Sequence, residues 1–162
     1  MNLLLSTELI SRKFQRMAYE IWERNSSETE VTLLGIEQRG TVIAEALASE
    51  LRRISPLEVV VHTLKMDKRN PLDAPPALDQ NLNDKSVVLV DDVANSGKTL
   101  FYALGPLMQT ALKQLSVAVL VDRTHKRFPI TPDIVGHAVA TTLEEHIEVV
   151  SEGDQVTGAY LQ

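Results

Sequence analysis

The chain has 162 residues, 44% of them hydrophobic and 23% charged, a composition that fits one globular domain and excludes both a disordered polymer and a membrane-embedded one. It contains no cysteine, which excludes disulfides and thiolate metal sites, and its net charge of −6 argues against a nucleic-acid surface spread over the whole molecule. Leu3-Leu4-Leu5 is too short for a signal-peptide core and follows no basic residue, and no apolar run approaches membrane-spanning length, so cytoplasmic residence without a membrane or DNA partner is expected.

In chain order, Leu9 to Asn25 predicts an amphipathic helix, with Ile10, Phe14, Met17, Ala18 and Ile21 on one face and Ser6 or Thr7 as cap. Val31 to Gly35 predicts a short strand, Glu37-Gln38-Arg39-Gly40 a polar turn, and Thr41 to Arg53 a second helix. Leu57 to Leu64 is rich in β-branched residues and predicts another strand. From Lys65 to Lys85 periodicity disappears, and Pro71, Pro75 and Pro76 forbid a long helix, so 65–85 is expected to be a flexible loop inside a single domain spanning 1–162. A strand ending at Asp91-Asp92, a helix from Thr99 to Leu115, a strand from Ser116 to Val121 and short strands near Glu148–Val150 and Thr157–Leu161 complete the series. Alternation of this kind predicts an α/β fold with an open, mainly parallel sheet flanked by helices.

The segment from Val87 to Thr99 carries the most chemistry. An apolar run suited to a strand buried on both faces ends in two adjacent carboxylates, and ligand sites of parallel sheets lie just beyond such strand ends. Asp91 and Asp92 suit ribose hydroxyls. Val93, Ala94, Asn95, Ser96, Gly97, Lys98 and Thr99 then form a small-residue turn opening a helix, where backbone N–H groups and hydroxyls receive a phosphate. Gly97-Lys98-Thr99 imitates the end of a triphosphate P-loop, but that motif needs a glycine five positions earlier, where this chain has Asp92, a charge that repels triphosphate. A second anion hold is offered by Arg39, with a fork of donors, and Gly40, which permits close backbone approach; an ordinary solvated arginine is the alternative.

Strand, acidic pair and small-residue turn together resemble the phosphoribosyl-diphosphate (PRPP) signature of the type I phosphoribosyltransferases. Glu20 to Asn25, Leu34-Gly35-Ile36 with Arg39-Gly40, and Val119-Leu120-Val121-Asp122-Arg123 with His125 and Pro129-Ile130 are similar to the PyrR branch of that family, bifunctional pyrimidine-operon regulators with uracil phosphoribosyltransferase activity. The resemblance implies the family fold, with a small hood and a flexible loop added to the sheet. It implies Asp91, Asp92 and Arg39 as catalytic residues, PRPP held by Gln38 to Gly40 and Asp91 to Thr99, and a nucleobase near Asp122 and Arg123. It further implies Mg²⁺, held mostly by PRPP oxygens and water, with Asp122 as a ligand, an outer partner or merely a capped strand end. The expected reaction is uracil plus PRPP to UMP and pyrophosphate, in a homodimer or larger homo-oligomer for which Trp22, Phe101, Tyr102 and Met108 are candidate anchors or simply helix core. An RNA-binding attenuation regulator that senses nucleotides, and transfer to another base, are the alternatives.

Departures from the family pattern matter. Relatives acting on 6-oxopurines carry an aspartate where Asn95 stands, and an amide cannot accept a proton at neutral pH. Glu37 and Gln38 replace a lysine and a threonine, which weakens anion binding if Glu37 points inward. In the loop, Lys65-Met66-Asp67-Lys68 replaces Tyr-Arg-Asp-Asp, with Lys65, Lys68 and Arg69 able to cover a diphosphate. Of the positions used on RNA, Arg16 and Arg24 are kept and Lys126 remains basic, whereas Gln15, Tyr19, Thr131 and His137 differ, so a solvated helix face is the favoured reading of that patch.

Overall fold

The computed structural model describes residues 2–142 and 144–162. Strand β1 (Asn2–Ser6) leads into helix α1 (Thr7–Arg24), followed by β2 (Glu30–Ile36), α2 (Arg39–Ile54), β3 (Glu58–Leu64), β4 (Ser86–Ala94), α3 (Lys98–Met108), β5 (Gln114–Arg123), β6 (Ile134–Val139), β7 (Ile147–Glu152) and β8 (Gln155–Leu161). Five strands form a parallel sheet in the order β3-β2-β4-β5-β6, and the other three form an antiparallel sheet, β1-β8-β7. The expected α/β architecture is present, and the small second sheet is its hood.

Local chemistry explains the main elements. Ser6 caps α1 by accepting from the Leu9 amide at 3.2 Å, and the helix buries the five apolar residues that share one face. All nine residues of β4 are buried, as a central parallel strand covered on both sides must be. One face of the sheet packs against α1, α2 and the hood through Met17, Ile21, Leu47, Leu51, Val88 and Val90; the other packs against α3 and loop residue Leu82 through Leu89, Leu100, Ala103 and Leu107. Truncating a side chain such as Ile21 to alanine costs about 2–5 kcal/mol at sites of this kind.

Several boundaries differ from the sequence expectation. Arg39 and Gly40 belong to the first turn of α2 rather than to a free turn. Helix α3 ends at Met108, not near Leu115: Pro106 removes a backbone donor in its last turn, the Thr110 hydroxyl donates to the Pro106 carbonyl, and the chain leaves the helix axis. Strand β5 consequently starts at Gln114, whose side-chain amide donates to Asn25 and Ser86 at the foot of the sheet. Strands β1 and β6 had no expected counterpart.

Candidate active site

The carboxyl ends of β2, β4 and β5 converge on one edge of the parallel sheet, and the expected site residues gather there. Gly40 explains how α2 reaches this edge. A Cβ at that position would stand 2.5 Å from the Val90 carbonyl oxygen and 3.3 Å from Asp91 Oδ1, so glycine lets the head of α2 lie directly on the strand carrying the acidic pair. The close approach anticipated at Gly40 is therefore made to β4. Gln38 precedes the helix without a capping side-chain bond, which leaves the first-turn amides free of side-chain competition, and Arg39 is exposed beside them.

Asp91 is 1% exposed and Asp92 8%. Asp91 Oδ1 accepts from the Asp92 amide at 2.9 Å, and Asp92 Oδ1 accepts from the Val93 amide at 2.8 Å. Lys68, descending from the loop between β3 and β4, donates to Asp91 Oδ1 at 2.9 Å. Burial first and the neighbouring Asp92 charge second push the Asp91 carboxyl up to about 7, against the opposing pull of Lys68.

The turn after β4 is preformed. Gly97 adopts φ +88°, a left-handed conformation natural to glycine, and heads α3 without a side-chain cap. The Ser96 carbonyl is gripped by the amides of Arg127 and Phe128 at 2.9 and 3.1 Å, and the Ser96 hydroxyl accepts from the Lys98 amide. Val93 through Leu100 line a small concavity at this helix N-terminus, the arrangement that receives a phosphate. Beside it Lys98 and Tyr102 share a cavity of about 200 Å³ with Arg69 and Leu72 of the loop.

A cavity of about 350 Å³ joins Arg39, Asp92, Val93 and Asn95 to the hood residues His146, Ile147, Glu148, Val149 and Gln162. Glu148 accepts from the Gln162 amide at 2.6 Å. These hood residues were not anticipated, because the local β7–β8 hairpin comes over the sheet only when β8 pairs with the distant β1 and β7 meets β4. A larger cavity, about 790 Å³, lies between α1, α2 and the β7–β8 turn. Its lining includes Glu45, Glu50 and Asp154 but no basic side chain, so it does not suit a phosphorylated ligand.

The remaining expected residues are distributed as follows. Asp122 accepts from Lys126 Nζ at 2.6 Å, and the same ammonium donates to the Arg123 carbonyl, so one oxygen of the candidate metal ligand is already engaged. Arg123 reaches Asn95 and the β6–β7 connection at Thr141–Thr142. Arg16 is spent internally, on Glu20 and on the carbonyls of Val135 and Gly136. Arg24 lies at the foot of β5, where Gln114 bonds its carbonyl, and Lys126 lies at the head, about 30 Å away along ten residues of strand. Burial and then Lys13 lower the His137 pKa, which works against a positive charge there. Trp22 and Tyr102 are part-buried, Phe101 is 40% exposed and Met108 80%.

Residues 2–150 match the phosphoribosyl transferase domain family. The chain belongs to that family. It is 36% identical over 170 residues to the bifunctional protein PyrR of Latilactobacillus sakei, covering 95% of each chain, and 38% identical over 168 residues to that of Ligilactobacillus salivarius, covering 94% of this chain and 93% of the relative. Its fold is that of a hypoxanthine-guanine phosphoribosyltransferase from Bacillus anthracis, with a TM-score of 0.79 at 20% identity over 99% of this chain and 98% of the other. The hypoxanthine phosphoribosyltransferase of Trypanosoma cruzi gives a TM-score of 0.77 at 16% identity, over 86% of this chain and 82% of the other. The chain is thus a PyrR-like phosphoribosyltransferase, a pentosyltransferase using PRPP.

Proposed function

We propose that the chain transfers the 5-phosphoribosyl group of PRPP to uracil, forming UMP and pyrophosphate. The observation that carries this reading is the meeting of three holds at one sheet edge: the phosphate turn 95–99, the Asp91/Asp92 pair, and Arg39 at the head of α2 facing Asp92 across the 350 Å³ cavity. In the reaction the bond from C1′ to the diphosphate breaks, a bond from C1′ to the base nitrogen forms, and the nitrogen's proton leaves with solvent or pyrophosphate. The turn fixes the 5′-phosphate, and the carboxylates accept from the ribose hydroxyls and favour the positive charge growing on the sugar. Arg39 and the α2 amides receive the departing diphosphate. Binding energy from groups that do not react thereby positions C1′.

Mg²⁺ belongs to this reading. Among the described residues no cluster of three or more ligating side chains exists, which suits a hard cation that keeps water and substrate oxygens as most of its ligands. Bound with PRPP, the ion would neutralise the leaving diphosphate. Asp91 and Asp92 are the carboxylates best placed to hold it through the substrate, and Asp122 is engaged with Lys126.

Uracil is favoured over a 6-oxopurine because Asn95 supplies an amide where those relatives carry a proton acceptor, and over a purely regulatory role because the catalytic holds are assembled while the basic residues suited to RNA are not. Arg16 and Lys126 spend their charge within the molecule, and Arg24 is remote from Lys126. A homodimer is part of the proposal, with exposed Phe101 and Met108 of α3 as its anchors. So is cytoplasmic residence; no helix of the described residues is long and apolar enough to cross a membrane. The deciding experiment supplies PRPP and Mg²⁺ with uracil, hypoxanthine, guanine, adenine and orotate in turn and measures pyrophosphate release. Uracil should be preferred; preference for another base overturns the assignment.

A further inference from the structure

Arg123 was expected to face the base, and the structure gives its donors other work. Nε donates to Thr141 Oγ1 at 2.7 Å, Nη2 to the Thr142 carbonyl at 2.9 Å and Nη1 to Asn95 Oδ1 at 3.2 Å. The guanidinium therefore ties the head of β5 to the β6–β7 connection that leads into the hood on one side and to the phosphate turn on the other. Thr141 is 7% exposed, so this tie is anchored in the protein interior.

The contact with Asn95 settles which way its carboxamide points. A guanidinium offers donors and no acceptor, so the atom facing it is the amide oxygen; a flipped amide would set N–H against N–H. The opposite end of the group, with its two N–H bonds, is turned away from Arg123, and Asn95 lines the cavity shared by Arg39, Asp92 and the hood. We infer that Arg123 is a positioning residue that presents Asn95 as a hydrogen-bond donor, so that the site selects bases offering a lone pair there and rejects bases offering an N–H. A pyrimidine joined through N1 has a carbonyl oxygen beside the reacting atom. A 6-oxopurine joined through N9 must shed a proton from the other imidazole nitrogen during attack, which calls for an acceptor. The inference deepens the uracil reading and rests on it.

The test compares binding of free uracil and free hypoxanthine by calorimetry in the full-length protein, because only the free purine still carries the imidazole N–H, with PRPP affinity measured alongside. Asn95→Asp keeps the partner of Arg123, now as an ion pair, and turns the outward atom from donor to acceptor. The ratio of uracil to hypoxanthine affinity should fall by about tenfold or more, the scale on which an unpaired polar group discriminates between ligands. Arg123→Gln and Thr141→Val release the amide and should move the ratio toward one while PRPP affinity stays within about twofold. Thr141→Ser, which keeps the acceptor, should restore the wild-type ratio. A ratio that moves less than about twofold in Asn95→Asp, or parallel loss of PRPP and base affinity in both Arg123→Gln and Thr141→Val, overturns the inference. If the ratio shifts as expected but the wild-type protein does not transfer uracil, the activity reading fails and the positioning role stands.

Discussion

The turn after β4 and the loop between β3 and β4 approach the same acidic strand end on opposite terms. The turn is fixed before substrate arrives: Gly97 holds its left-handed conformation, and the Ser96 carbonyl is clamped by two amides from beyond β5. The loop has little regular structure, a single bridge from Lys65 to Ala77 and an Asx turn at Asp67, and its strongest hold on the site is one ion pair, Lys68 to Asp91. In the proposed function the preformed turn carries affinity for the invariant 5′-phosphate. A loop whose contact with the acidic pair is one exchangeable ion pair can let a charged substrate in and then cover it.

The contrast can be broken in order of expected effect. Asp91→Asn with Asp92→Asn removes both carboxylates on which turn and loop converge; kcat/KM for PRPP should fall by about 10⁴-fold while the variant still melts in a cooperative transition. Gly97→Val attacks the preformed side, because a β-branched residue cannot hold φ +88° and its Cβ would meet Ile130 at 3.1 Å. The KM for PRPP should rise steeply, and melting should report a loss of about 1–3 kcal/mol. Arg39→Ala should raise the PRPP KM by about tenfold, the scale of one exposed charge-assisted contact, measurable by steady-state kinetics.

Lys68→Met probes the provisional side through pH. Because burial and Asp92 push the Asp91 carboxyl up to about 7 and its ionised form accepts more strongly from ribose hydroxyls, PRPP affinity should strengthen as pH rises through about 7. Lys68 lowers the Asp91 pKa, so its removal should move that midpoint upward, and Asp91→Asn should abolish this component of the profile. Stability has the opposite sign. The folded carboxyl holds its proton more tightly than an unfolded one at about 3.9, so stability should decline as pH rises from about 4 to about 7, and more steeply in Lys68→Met. Melting curves across that interval check the sign.

The halves of the site also differed in how far sequence revealed them. Val87 to Thr99 was legible because one strand and one turn carry acid pair, hydroxyls and glycine in unbroken order, and helices α1 and α2 because their buried faces repeat at helical spacing. Leu3 to Leu5 gave no sign of a strand, since what makes β1 a strand is Ala159 to Leu161, far away in the chain. His146, Glu148 and Gln162 sit on a local hairpin that enters the cavity only through the long-range docking of β8 on β1, and no local motif marks them as site residues. Arg123 and Asp122 were found as residues but not as roles, because Lys126, Asn95 and Thr141 become their partners only when the turn and the hood close around β5.

Pairing of β1 with β8 gives the hood a timetable. Residues 2–6 wait on residues 158–161 to complete their sheet, whereas the strands bearing the acidic pair and the phosphate turn join neighbours that emerge within a much shorter stretch of synthesis. The phosphate cradle can therefore assemble on a growing chain that still lacks its roof. On the proposed reading, the part of the site that meets the base is completed last, over a sugar-phosphate platform that folds from nearer contacts.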